Sequence, residues 1–131
     1  MQRLKPKTLL IVEDNVEVRQ AIAEVLALSG WRVLEASNGI HGLRLFKNHL
    51  PDVVLTDVVM GGLDGFQLTA GIKSISPQAV VIIMTAFNAP DLREKARDAG
   101  AREFLRKPFE PRELFAALAR SLGNSINEQE S

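Results

Sequence analysis

The chain has no cysteine among its 131 residues, which excludes a disulfide scaffold, a thiolate metal site and a cysteine nucleophile together. Histidine is scarce: only His41 and His49 occur, too few for a histidine-rich metal site. An excess of either charge is missing too. Sixteen Lys+Arg meet sixteen Asp+Glu, the formal net charge is +0 and the pI is about 6.7, so bulk attraction to nucleic acid is not expected. No apolar run exceeds six residues, far short of a membrane span. The start, Met1 to Lys7, is polar and basic and lacks the apolar stretch of a signal peptide. With 46% hydrophobic residues, the expectation is one packed domain in the cytoplasm, with no membrane contact and no direct nucleic-acid binding.

Five short apolar runs recur at even spacing: Thr8–Val12, Trp31–Leu34, Asp52–Thr56, Ala79–Met84 and Arg102–Leu105. The first, third and fourth are apolar at nearly every position, as strands buried on both faces of a parallel sheet are. Helical spacing fills the gaps. Val18, Ile22, Val25 and Leu26 form one stripe, stopped by Gly30, and Ile40, Leu43 and Phe46 form another behind Ser37 and Asn38. Asp64 caps a third helix with Phe66, Thr69 and Ile72 inside. Asn88 is the expected cap of a fourth, with Pro90 in its first turn and Leu92, Ala96 and Ala99 inside. Pro111 opens a fifth, with Leu114, Ala117, Leu118 and Leu122 inside and Gly123 ending it.

Five strand–helix alternations predict an α/β fold: a single doubly wound, five-stranded parallel sheet with five helices covering both faces. Right-handed crossovers then favour strand order 2-1-3-4-5, with ligands beyond the carboxyl ends of the strands. The expected domain is residues 7–123, with an N-terminal tail at 1–6 and a C-terminal tail or the start of a linker at 124–131.

In that order the polar residues at the strand ends meet at one edge: Glu13 and Asp14, Asp57, Thr85 and Lys107-Pro108. Taken singly, each has an ordinary structural role, such as an acid in the first turn of a helix. Together they are a problem of charge. Three carboxylates about 5 Å apart repel by about 3 kcal/mol per pair at an effective dielectric of 20. Lys107 offsets part of this, and a hard divalent cation offsets the rest; oxygen-only ligands with open positions suit Mg²⁺ better than zinc. An ionised Asp can attack phosphorus to give an acyl phosphate, with the cation and Lys107 neutralising the phosphoryl oxygens and Thr85 donating to the product.

These residues resemble a known family. Glu13-Asp14, Asp57 within Leu55-Thr56-Asp57-Val58-Val59-Met60, Asp64-Gly65, Thr85-Ala86 and Lys107-Pro108-Phe109 look like a response regulator receiver domain, over about residues 7–123. The resemblance implies a flavodoxin-like fold and a phosphorylation switch rather than an enzyme. It makes Asp57 the phosphoacceptor, Asp14, Asp57 and the Val59 carbonyl direct Mg²⁺ ligands, and Glu13 the holder of a metal-bound water. It makes Lys107 the partner of Asp57 and then of the phosphoryl group, and Thr85 and Phe104 a coupled switch pair. It implies a phosphohistidine donor on a sensor histidine kinase or histidine phosphotransfer protein. The output is a shift of the face made by the fourth helix, fifth strand and fifth helix, toward a downstream partner or a phosphorylation-dependent homodimer.

The chain departs from the family pattern at Met60-Gly61-Gly62, where the family commonly has Pro directly after Met. In the family the positions two residues beyond the acceptor and the threonine influence attack of water on the acyl phosphate. Here they are Val59 and Phe87, both apolar and unable to orient that water, so the resemblance implies slow self-dephosphorylation. Three other functions compete. A phosphatase with an aspartyl nucleophile commonly has a second Asp where Val59 stands. A phosphorylation-independent interaction module normally lacks a site residue, and here all are present. A nucleotide-binding fold lacks its G-x-G-x-x-G.

Overall fold

A computed structural model describes residues 7–88 and 90–130, with side chains through residue 122. The expected tail at residues 1–6 lies outside the described residues. Strands β1 (Thr8–Val12), β2 (Arg32–Ala36), β3 (Val53–Asp57), β4 (Val80–Thr85) and β5 (Glu103–Arg106) form one parallel sheet in the order β2-β1-β3-β4-β5. Helices α1 (Val16–Leu28), α2 (Gly39–His49), α3 (Gly65–Ile75), α4 (Leu92–Ala99) and α5 (Pro111–Glu130) make the crossovers. The predicted fold is the observed one.

Side chains of a strand alternate between sheet faces, so a strand covered on both sides feeds two cores. Leu10, Val12, Val54, Val81 and Ile83 join Phe46 of α2, Leu68 and Ile72 of α3 and Ala96 of α4. Leu9, Ile11, Val53, Leu55, Ile82 and Met84 point the other way, to Leu26 of α1 and Leu114, Ala117 and Leu118 of α5. Each fully buried aliphatic side chain contributes about 1.5–3 kcal/mol. Helix α2 lies against β1 so closely that a Cβ on Gly42 would meet Val12 Cγ2 at 2.9 Å.

The helix starts follow side-chain capping in three cases. Asn15, Asn38 and Asp64 accept the backbone N–H of Val18, His41 and Gln67, and Asp64 and Gln67 complete a reciprocal capping box. The fourth start differs from expectation. Helix α4 opens at Leu92 behind Asp91, because Asn88 Oδ1 is taken by Arg106 Nη2 of β5 at 2.6 Å. Helix α5 also continues through Gly123 to Glu130 instead of stopping there. On α2, Ile40 faces solvent, and the buried positions beside Phe46 are Gly42, against Val12 of β1, and Gly39, against Leu63 in the loop before α3.

The apolar runs end one or two residues before four of the ladders do. Asp57 pairs with Met84 and Thr85 with Arg106, so both polar residues are the last rungs of the sheet. This places both at the carboxyl edge of adjacent, hydrogen-bonded strands.

Candidate functional site

At that edge, Glu13 leaves β1 and is 1% exposed, Asp14 beside it faces solvent, and Asp57 is buried at the end of β3. One oxygen from each lies within 4.8 Å of the others. Lys107, in the loop after β5, reaches across: its Nζ donates to Glu13 Oε1 at 2.6 Å and to Asp57 Oδ2 at 2.8 Å. The Lys107 N–H donates to the Thr85 carbonyl at 2.8 Å, tying the loop to β4, and the Lys107–Pro108 peptide bond is cis.

Both oxygens of Asp57 are held. Oδ1 accepts the Val58 N–H at 2.6 Å, while Oδ2 takes the lysine. Glu13 is held as firmly, its Oε2 accepting the Asn15 N–H at 3.1 Å. Burial pushes the Glu13 carboxyl above its ordinary value, despite the opposing bond from Lys107. Burial pulls Lys107 down, but its bonds to Asp57 and Glu13 outweigh that and hold the ammonium above the usual lysine range. Three carboxylates against one ammonium leave a pocket whose ionised form carries two uncompensated negative charges. Its donors are all oxygen and it opens at Asp14, a set that suits a hard divalent cation with water in its remaining positions.

Gly65 opens α3 directly behind this carboxylate. Its N–H donates to the Val58 carbonyl at 2.8 Å, and a Cβ there would collide with the Asp57 carbonyl and meet Val58 Cα at 2.8 Å. Only glycine lets α3 start so close. Thr85 is 1% exposed and its hydroxyl oxygen accepts the Phe87 N–H at 3.1 Å. Among the described residues that hydroxyl donates to nothing, so its proton is available to a new acceptor. Phe104, half-buried on β5, packs against the core on the α4 side, and the Arg93 guanidinium sits 5.0 Å from its ring centre. Val59 and Phe87 are 50% and 55% exposed, flanking the site.

Two features were not expected. Lys107 holds Glu13 as well as Asp57. Arg19, one turn into α1, donates from Nη1 to the Glu13 carbonyl at 2.9 Å and from Nε to Glu35 of β2 at 3.0 Å. It braces the β1–α1 loop from behind. A basic residue on the sheet-facing side of the first turn was its only sequence signal.

Residues 9–119 match the model of the response regulator receiver domain family. The chain belongs to that family. The receiver domain is 34% identical to the chemotaxis protein CheY of Bacillus subtilis, over 87% of this chain and 96% of that protein. It is 36% identical to a cyclic di-GMP phosphodiesterase of Thermotoga maritima and 39% identical to the transcriptional regulatory protein PdtaR of Mycobacterium tuberculosis. Those matches cover 91% and 86% of the receiver domain but only 32% and 55% of the relatives, so it spans about a third to a half of their length. Among solved structures, Vibrio cholerae CheY4 superposes with a TM-score of 0.86 at 27% identity, over 90% of this chain and 100% of that one. A Borrelia burgdorferi CheX–CheY–BeF₃–Mg²⁺ complex gives 0.83 at 25% identity, covering 87% of each chain. The receiver domain is therefore a regulatory, phosphoacceptor-type signalling module of two-component systems, and no helix among its described residues is long and apolar enough to cross a membrane.

Proposed function

We propose that the protein is a phosphorylation switch in which Asp57 accepts a phosphoryl group from the phosphohistidine of a sensor histidine kinase or histidine phosphotransfer protein. The supporting observation is the wiring of Asp57: one oxygen is fixed by a backbone N–H and the other by Lys107, in an acidic pocket that opens at Asp14. In the transfer an Asp57 oxygen forms a bond to phosphorus as the nitrogen–phosphorus bond breaks, and the imidazole leaves as a neutral base after taking a proton.

Asp14 and Asp57, with the Val59 carbonyl, would hold Mg²⁺ directly. Glu13, beside them in the pocket, would hold a water of the ion. When bound, the ion neutralises the phosphoryl oxygens. Lys107 stays with Asp57 and pairs with the arriving group, and the Thr85 hydroxyl, whose oxygen accepts the Phe87 N–H, donates a hydrogen bond to it. The Thr85 hydroxyl then moves toward the phosphoryl group, Phe104 turns into the space it leaves, and the α4–β5–α5 face changes population toward a partner or a second copy. The complex of Borrelia CheY with BeF₃ and Mg²⁺ supports this reading of the pocket. With Val59 and Phe87 beside it, the acyl phosphate hydrolyses slowly; a half-life of seconds with Mg²⁺ present would overturn that part.

Intact mass after incubation with acetyl phosphate tests the central claim. One phosphoryl group is gained with Mg²⁺ and none without it, and Asp57→Asn, still folded, gains none. A folded wild type that gains nothing while a known receiver labels alongside it would return the protein to the phosphorylation-independent class of interaction module.

A further inference from the structure

The formal net charge of zero hides an uneven surface. Around Phe104 four arginines are presented, two by helix α4, one by the turn just before the edge strand β5 and one by the end of β5, and among the described residues none of them is paired with a carboxylate. Arg93 lies over the Phe104 ring, and among the described residues the Arg97 guanidinium makes no hydrogen bond or ion pair. Arg102 donates to the Ser121 carbonyl at 3.1 Å, and Arg106 to the Asn88 amide oxygen at 2.6 Å. The one acid in the groove, Glu103, is already held by Arg120 at 2.9 Å. Two depressions of about 240 and 230 Å³ lie here, and Arg93 and Phe104 line both. Glu94 and Asp98, on the same helix, line neither.

We propose that this groove docks an acidic segment of a partner protein, its carboxylates held by Arg93, Arg97, Arg102 and Arg106 and an apolar side chain seated against Phe104. The arginines are strung out instead of converging. Arg102 and Arg106 are four residues apart along an extended chain, roughly 13 Å, while Arg93 and Arg97 stand one helical turn apart. A single phosphate fills one point of such an array, whereas a run of Asp and Glu fills its length. Arginine binds carboxylate bidentately and is weakly hydrated, so it suits a docking face better than lysine does. A polynucleotide also has a run of charge, but the neighbouring Glu94 and Asp98 repel it and the protein has no net positive charge to draw it in.

The acidic segment supplies the partner chemistry of the face that the proposed function assigns to output; the docking needs no phosphoryl group, whereas its regulation rests on that function, because Phe104 is the ring at the centre of the groove. The test uses ¹⁵N-labelled full chain, unphosphorylated, and a synthetic Asp/Glu-rich peptide carrying one leucine. Comparison probes are the same peptide with every acid replaced by its amide, inorganic phosphate, and a single-stranded thymidine oligonucleotide. The acidic peptide should shift amide resonances across residues 92–106 and the Nε–H of Arg93 and Arg97, and the amide peptide should not. Arg93→Glu with Arg97→Glu, both exposed and so not expected to disturb folding, should weaken binding at least tenfold. Arg32→Glu with Lys47→Glu, an equal charge change elsewhere, should leave it within twofold. Equal binding of the amide peptide, equal loss in both double variants, tighter binding of phosphate or oligonucleotide at the same residues, or no shift at millimolar peptide would each overturn the proposal. A second arm repeats the titration on protein shown by mass to be phosphorylated, with at least a threefold change in affinity expected. If the peptide docks but its affinity ignores phosphorylation, the regulatory link is overturned. If no phosphoryl group is gained, the failure belongs to the proposed function and the docking result stands.

Discussion

The two flanks of the carboxyl edge are built differently. On the β1–β3 flank every charged oxygen of Glu13 and Asp57 is held, by Lys107 or by a backbone N–H, and Arg19 braces the loop behind them. On the β4–β5 flank, Thr85 accepts a single bond from Phe87, and Phe104 is only half-buried beneath an exposed arginine. The first flank is preorganised for charge, which is where electrostatic catalysis needs rigidity. The second has an unused proton and a ring that core packing only partly confines, which is what a two-position element needs. Under the proposed function, chemistry and response would be divided across one sheet edge.

The strongest way to break the comparison is to remove the shared cation. Lys107→Met leaves two carboxylates facing each other, so phosphorylation by acetyl phosphate should slow by about 100-fold, as when a single transition-state donor is removed. Without Mg²⁺ the variant should also be less stable by about 1–3 kcal/mol, with part of that recovered on adding Mg²⁺. Thermal melts with and without the ion measure this. A variant that labels at the wild-type rate would show that the ammonium only fills space.

Gly65→Ala attacks the same flank through the backbone. Its Cβ would meet the last rung of β3, so the cost is that of overpacking, about 1–3 kcal/mol. The acceptor carboxylate should shift with it, lowering the rate of phosphorylation as well as the melting temperature. Unchanged melting would mean that α3 can start further from the sheet than it does.

Much of this was legible in the sequence because burial and topology leave clear marks. Strands β1, β3 and β4 are covered on both faces and read as unbroken apolar runs, and the crossovers then bring Glu13, Asp14, Asp57 and Lys107 to one edge. The edge strands were blurred by having one open side, and β2 was placed one residue early at its start and two short at its end. Tertiary partners were invisible. The bond from Arg106 that diverts Asn88 from capping spans 18 residues, and the one from Lys107 to Glu13 spans 94. Gly123 reads as a stop because glycine favours the position just past a helix end, yet inside a helix it costs only about 1 kcal/mol against alanine, too little by itself to end α5.

The responding flank is probed more gently. Thr85→Ala removes one accepted bond near an exposed loop, so stability should change by about 1 kcal/mol or less and labelling of Asp57 should persist. The response should be lost: resonances around Phe104 that move on phosphorylation in the wild type should stay in place. If they still move, the hydroxyl is not the coupling element.

The smallest effect bears most directly on the difference between the flanks. Burial holds the Glu13 carboxyl above its ordinary value of 4.5, so the folded protein binds its proton more tightly than the unfolded chain does. Below that value both states are protonated and Glu13 behaves as a neutral group. As pH rises above it, the unfolded chain ionises first and stability falls, until the folded carboxyl ionises too and the loss becomes constant. Glu13→Gln escapes this. It should match wild type in acid and exceed it near neutral pH without Mg²⁺, by about 2–4 °C in melting temperature if the gain is near 1 kcal/mol. Mg²⁺ should reverse the order, because the charge that destabilises the empty pocket is the charge that recruits the ion. A Gln variant less stable than wild type at neutral pH would mean that the Lys107 bond outweighs the burial of Glu13, and that the acidic flank is a stabilising network instead of a charge held ready for its ligand.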